Sequence, residues 1–204
     1  MNFGIIISYI IAGFLMLTIL MVNQNVGFSN QEVTTTLVKT THAQAISDII
    51  TNDIPKIGYQ KKTIIDKSDI FISATNYKIS FRSDLDNDGD IEIITWDFDP
   101  DKTPEHAKNP HINTLTRTVE DEDTGTKDVT NILSGVTDFQ ISYYSTYGST
   151  TPMSSPIDVN NVVQIEIALE LQSDYELEHR NSTGDNYIKS KWKKRFSPVN
   201  LRPN

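Results

Sequence analysis

Residues 5–22 form an apolar run, IIISYIIAGFLMLTILMV, of eighteen positions without a charge. As a helix it would be about 27 Å long, close to the roughly 30 Å hydrocarbon thickness of a bilayer. The pattern predicts a membrane-embedded helix. A cleaved secretory signal would show a basic start, a shorter apolar core and a small-x-small cleavage site. None of these is in the sequence, so a retained helix is expected. Lys39 is the first basic residue, and the positive-inside rule therefore says almost nothing about orientation.

Behind this run, Asn23-Gln24-Asn25-Val26-Gly27-Phe28 is polar and contains glycine, which predicts a flexible junction. Ser29-x-x-Glu32 then has the form of a capping box that restarts a helix. Val33, Leu37, Ala45, Ile46, Ile49, Ile50 and Ile54 recur at spacings near three and four, the mark of an amphipathic helix burying one face. Thr34, Thr35 and Thr36 weaken its first turns, and Pro55 and Gly58 end it.

Beyond the helix, alternating patterns predict strands at 70–73, 77–81, 91–96, 115–119, 139–144, 162–171 and 188–193. Turn-rich stretches at 84–90, 99–113, 120–127 and 145–156 separate them. In the last strand Ile188 and Trp192 share one face and lysines the other, which reads as a half-buried strand with a solvated basic face. No period of 20 to 50 residues recurs, which excludes a solenoid or propeller. The expected fold class is α+β: a long N-terminal helix, with a membrane half and an amphipathic half, packed on one antiparallel sheet. The expected organisation is a transmembrane helix and junction over 1–28, an amphipathic helix over 29–58, and a β-rich domain over 59–204.

With 204 residues, the chain suffices for one domain with a core and one attached element. The net charge of −9 lies entirely after residue 31, because Glu32 is the first charged side chain. Every Asp and Glu precedes residue 186, whereas Lys189, Lys191, Lys193, Lys194, Arg195 and Arg202 crowd the end. An acidic body with a basic last segment makes a poor nucleic-acid binder. Cysteine is absent, which removes disulfides, thiolate nucleophiles and Cys-based zinc sites.

The sharpest chemical signal is Asp84-Leu85-Asp86-Asn87-Asp88-Gly89-Asp90-Ile91-Glu92 between two predicted strands. Alternate carboxylates can converge on a hard cation, and Gly89 permits the sharp turn that convergence requires. In an EF-hand-like arrangement Asp84, Asp86 and Asp88 supply side chains, Asp90 its carbonyl, and Glu92 a direct or water-mediated ligand for Ca2+. The twelfth position is Thr95 in place of a bidentate Glu, which points to a weak site filled at extracellular calcium levels. The competing reading is an Asp/Asn/Gly-rich turn with no ion.

His106 and His111 lie near Asp99, Asp101 and Glu105 without an ordered metal-ligand spacing, and a solvated loop is expected there. His42 and His179 read as surface or interface residues. The sequence has no G-x-S-x-G elbow, P-loop or G-x-G-x-x-G, and nothing in it argues for an enzyme.

The order of these features resembles the type IV pilin-like proteins, above all the PilW-like minor pilins and the J-type pseudopilins of type II secretion. The residues that carry the resemblance are Asp48 to Tyr59 at the helix end, the strand, acidic turn and strand around Asp84 to Trp96, Gly135 to Tyr144, and the strand from Val162 to Leu171. At the N-terminus the chain departs from the family pattern. No basic leader precedes the apolar run, and the position where the family has Glu is Ile5, or Tyr9 if counted from Gly4. The resemblance implies a non-enzymatic subunit of a type IV pilus or type II secretion-like assembly, with its C-terminal domain outside the cytoplasm. It implies as partners membrane lipid and other pilin-like subunits, met through the N-terminal helix. The alternative is a stand-alone tethered protein whose loops, such as 99–113, bind calcium or another ligand.

Overall fold

The structure is a computed structural model that describes residues 3–62, 65–132, 134–177 and 186–202. One helix, α1, runs from Phe3 to Asp53 and passes into a 3-10 turn at Ile54–Lys56. Its 51 residues span about 77 Å at 1.5 Å per residue. The junction expected at 23–28 does not interrupt it, and Ser29 and Glu32 lie inside the helix, not at a cap. Asn23, Gln24, Asn25 and Gly27 each cost a few tenths to about 1 kcal/mol of propensity, whereas breaking and restarting the helix would demand a second unfavourable nucleus.

Among the described residues, the fully buried positions of the helix lie in its last third. Its buried face is Lys39, Ala43, Ile46, Ser47, Ile50 and Asp53. Val33 and Leu37, both expected to be buried, are 64% and 65% exposed, and Ala45 lies outside the packed face. Periodicity identifies an apolar stripe, but the reach of the sheet decides how much of it is covered.

After α1 come a short helix α2 (Lys67–Ile70) and eight strands: β1 (Phe71–Ala74), β2 (Lys78–Ser83), β3 (Glu92–Asp99), β4 (Thr114–Asp121), β5 (Lys127–Ile132), β6 (Val136–Tyr144), β7 (Gln164–Gln172) and β8 (Lys189–Phe196). They form two antiparallel sheets, β1-β2-β3-β4-β5 and β6-β7-β8, where the sequence suggested one. Strand β5 was hidden because Lys127 to Asn131 are all exposed, so no alternation of burial constrained their identities. The α+β arrangement itself, a long N-terminal helix on antiparallel sheet, is as expected.

The core is continuous across the three elements. Helix α1 packs on β7 and β8, and Ile46, Ile50 and Ile54 join Ile165, Ile167, Leu169 and Phe139. Each buried isoleucine contributes about 1.5–3 kcal/mol. Trp96 of β3 stacks on Phe139 of β6 with centroids 6.1 Å apart, which joins the two sheets. At the helix end, Asp53 is fully buried. Its Oδ2 accepts from Trp96 Nε1 at 3.0 Å and Arg117 Nε at 2.7 Å, and its Oδ1 accepts from Arg117 Nη2 at 3.0 Å.

The basic last strand is exposed on its lysine face, as expected, and Lys189, Lys191 and Lys193 of that face also reach across to β7. Lys193 and Arg195 pair with Glu166 at 2.8 and 3.0 Å, and Lys191 pairs with Glu170 at 2.7 Å. Burial alone would raise the Glu166 carboxyl, but hydrogen bonds from Lys193, Arg195 and Tyr144 outweigh it and hold the group below the usual carboxylate range. Glu170 is lowered in the same way, with Lys191 and Gln172 overcoming burial.

Two outcomes are expected of the full chain in detergent. Asp53→Ala leaves the Arg117 guanidinium without its carboxylate and lowers unfolding stability by about 3–5 kcal/mol, read from urea titration. A depressed acid stabilises the fold fully above its ordinary pKa and loses that contribution as pH falls through the folded value. The urea midpoint therefore drops between about pH 5 and pH 3, and Glu166→Gln makes that drop shallower.

Candidate functional site

Strand β2 ends at Ser83 and delivers Asp84 into the interior, where its N–H donates to the carbonyl of Tyr59 at 2.8 Å. Asp84 is fully buried. Its Oδ2 accepts from the Lys61 N–H at 3.2 Å, while its Oδ1, also buried, has no hydrogen-bond partner. The chain then folds through two Asx turns, Asp86 Oδ1 accepting from the Asp88 N–H at 3.2 Å and Asp88 Oδ1 from the Asp90 N–H at 2.8 Å. Asn87 at φ +67° and Gly89 at φ +103° provide the left-handed positions that bend it back.

As a result, Asp84, Asp86 and Asp88 each place one carboxylate oxygen within 4.8 Å of the others. Among the described residues this is the one cluster of three or more potential metal ligands. Asp90 and Glu92, expected to complete the set, are directed differently. The Asp90 carboxylate pairs with Lys62 at 3.1 Å, which leaves its carbonyl as the expected contribution. Glu92 Oε2 accepts from the Leu85 N–H at 2.6 Å. Burial first, and then the charges of Asp86, Asp88 and Asp84, raise the Glu92 carboxyl against the opposing pull of the Leu85 bond. Thr95, the twelfth position, is paired with Ser80 at 2.8 Å on the sheet.

The segment leaving α1 packs against this loop, and sequence reasoning missed its part. Lys56 Nζ donates to the Leu85 carbonyl at 2.8 Å, and Ser83 Oγ donates to the Lys56 carbonyl at 2.8 Å. Tyr59 Oη donates to Asn87 Oδ1 at 2.6 Å, and Lys61 Nζ to the Asn87 carbonyl at 2.9 Å. These partners lie about thirty residues apart, and only the repeated Lys-Tyr-Lys-Lys character of 56–62 hints at an acidic neighbour.

Among the described residues, the histidines form no site of this kind. His106 and His111 are exposed; His111 meets the ring of Tyr187 edge-on at 6.1 Å, and His106 lines a cavity of about 460 Å³ with Pro104, Ile112 and Tyr175. His42 is half-buried on α1, with a buried Nδ1 that has no hydrogen-bond partner, and His179 lies outside the described residues. No protein-family model matches the chain, and no curated protein matches it.

Gly89 shows how tightly the loop is drawn. A Cβ there would collide with the end of the Lys62 side chain, at a φ that side chains rarely adopt. Gly89→Ala is expected to lower stability by about 1–3 kcal/mol in thermal or urea unfolding of the full chain.

Proposed function

We propose that this chain is a membrane-anchored, non-enzymatic subunit of a pilin-like assembly, a minor pilin or pseudopilin of a type IV pilus or type II secretion-like system. Its β-rich domain sits outside the cytoplasm, and its helix serves both as anchor and as packing surface for other pilin-like subunits. The observation that carries this reading is that the apolar first stretch of α1 is left uncovered by the protein itself. Among the described residues, full burial on the helix begins at Lys39, and the apolar span that is a candidate membrane crossing has none of its residues buried in the protein.

Between Val22 and Lys39 lie sixteen helical residues, about 24 Å of rod above the bilayer. They expose Val26, Val33, Leu37 and Val38 and carry Glu32 as their one charge. A simple tether has no need of a helical rod, since a flexible polar linker reaches the same distance without exposing Val26, Val33, Leu37 and Val38 to water. Such a surface is stable in lipid or against equivalent helices, and Ala12 and Gly13 offer small residues where helices approach closely in the membrane.

Replacing residues 5–22 by an unrelated apolar anchor of equal length is expected to keep the protein in the membrane fraction and to abolish cross-links to pilin-like partners. Full retention of those cross-links would reduce the helix to a tether and favour a stand-alone binding protein.

A further inference from the structure

We propose that Asp84, Asp86 and Asp88 bind a calcium ion, and that the ion fastens the β2–β3 loop to the segment 56–62 leaving helix α1. This goes beyond the assembly role and does not depend on it.

Two observations point to a ligand independently. Three carboxylate oxygens gather within 4.8 Å of one another, at a spacing that like charges oppose unless a cation lies among them. One of the three residues, Asp84, has no solvent exposure and a buried Oδ1 without a partner. A buried carboxylate oxygen left without donor or cation is strongly unfavourable. The neighbouring ammonium groups are engaged elsewhere on the loop, Lys61 on the Asn87 carbonyl and Lys62 on Asp90.

The donor chemistry selects the ion. An all-oxygen set of carboxylates on an irregular loop suits calcium, which accepts flexible geometry with ligands at about 2.3–2.6 Å. Magnesium draws its ligands closer and demands a stricter octahedron. The Asp90 carbonyl, the second oxygen of Glu92 and water are the candidates for the remaining positions. Because Asp86 and Asp88 are exposed and the twelfth position is Thr95, the site belongs to the weak, roughly 10⁻⁴–10⁻³ M class.

The consequence for the fold follows from the contacts already described. Asp84 is bonded through its backbone to Tyr59 and through Oδ2 to Lys61, and Leu85 holds Lys56. An ion that fixes Asp84 therefore fixes the exit of the helix.

The test is a titration of the full chain in detergent with calcium chloride, read by thermal unfolding and by amide hydrogen exchange over 56–62, with magnesium chloride and EDTA as parallel arms. At calcium a hundred times its Kd the unfolding equilibrium constant falls about 100-fold, and exchange at 56–62 slows. Magnesium at the same concentration gives less than a tenth of that effect. The double variant Asp86→Asn, Asp88→Asn keeps both Asx-turn acceptors, loses the calcium response, and in EDTA is at least as stable as the parent. Equal unfolding midpoints in calcium and EDTA for the unaltered chain, an equal response to magnesium, or a full calcium response in the variant would each overturn the site. Stabilisation with unchanged exchange at 56–62 would overturn the clamp.

Discussion

A carboxylate sealed from solvent stays in place only where donors surround it, and Asp53 meets that condition at the last turn of α1. Its position is unfavourable twice over, since it is buried and sits at the negative end of the helix dipole. The Arg117 fork and the Trp96 indole answer both, and they come from β4 and β3. The isoleucine contacts of α1 with β7 and β8 are tolerant of sliding, whereas a bidentate pair has one geometry. Asp53 therefore sets the register of the helix end against the five-stranded sheet, and the apolar contacts with β7 and β8 accommodate it. Arg117 remains partly accessible at its edge, so the pair is sealed from the helix side.

The same helix end is gripped from a second direction. Immediately after Asp53, the 3-10 turn and the residues up to Lys62 lie against the acidic loop through Lys56, Tyr59 and Lys61. Asn200 Nδ2, from near the far end of the chain, also donates to the Ile57 carbonyl at 3.1 Å. The exit of the helix is thus the place where the first sheet, the acidic loop and the C-terminal turn converge.

Much of this was legible in the chain itself, for identifiable reasons. Charge-free residues 5–22 and the Ile46, Ile50, Ile54 spacing are strong local patterns, and both were read correctly as helix. Alternating strands such as residues 91–96 and 162–171 were visible because one of their faces is buried. Strand β5 escaped because an exposed edge strand has no face to conceal. The division into two sheets was equally invisible, being decided by long-range pairings such as Trp96 on Phe139. In the acidic loop, the convergence of Asp84, Asp86 and Asp88 follows from a local motif, but the turning of Asp90 toward Lys62 depends on a segment some thirty residues earlier.

The unbroken course of α1 through residues 23–28 has a geometric consequence. A hinge there would have let the domain wander independently of its anchor, whereas a stiff rod of about 77 Å acts as a lever. A tilt of about 5° at its base carries the far end sideways by about 7 Å, and helices in bilayers range over several times that angle. With the apolar span seated in a bilayer, as proposed above, the tilt of the rod would set where the domain points.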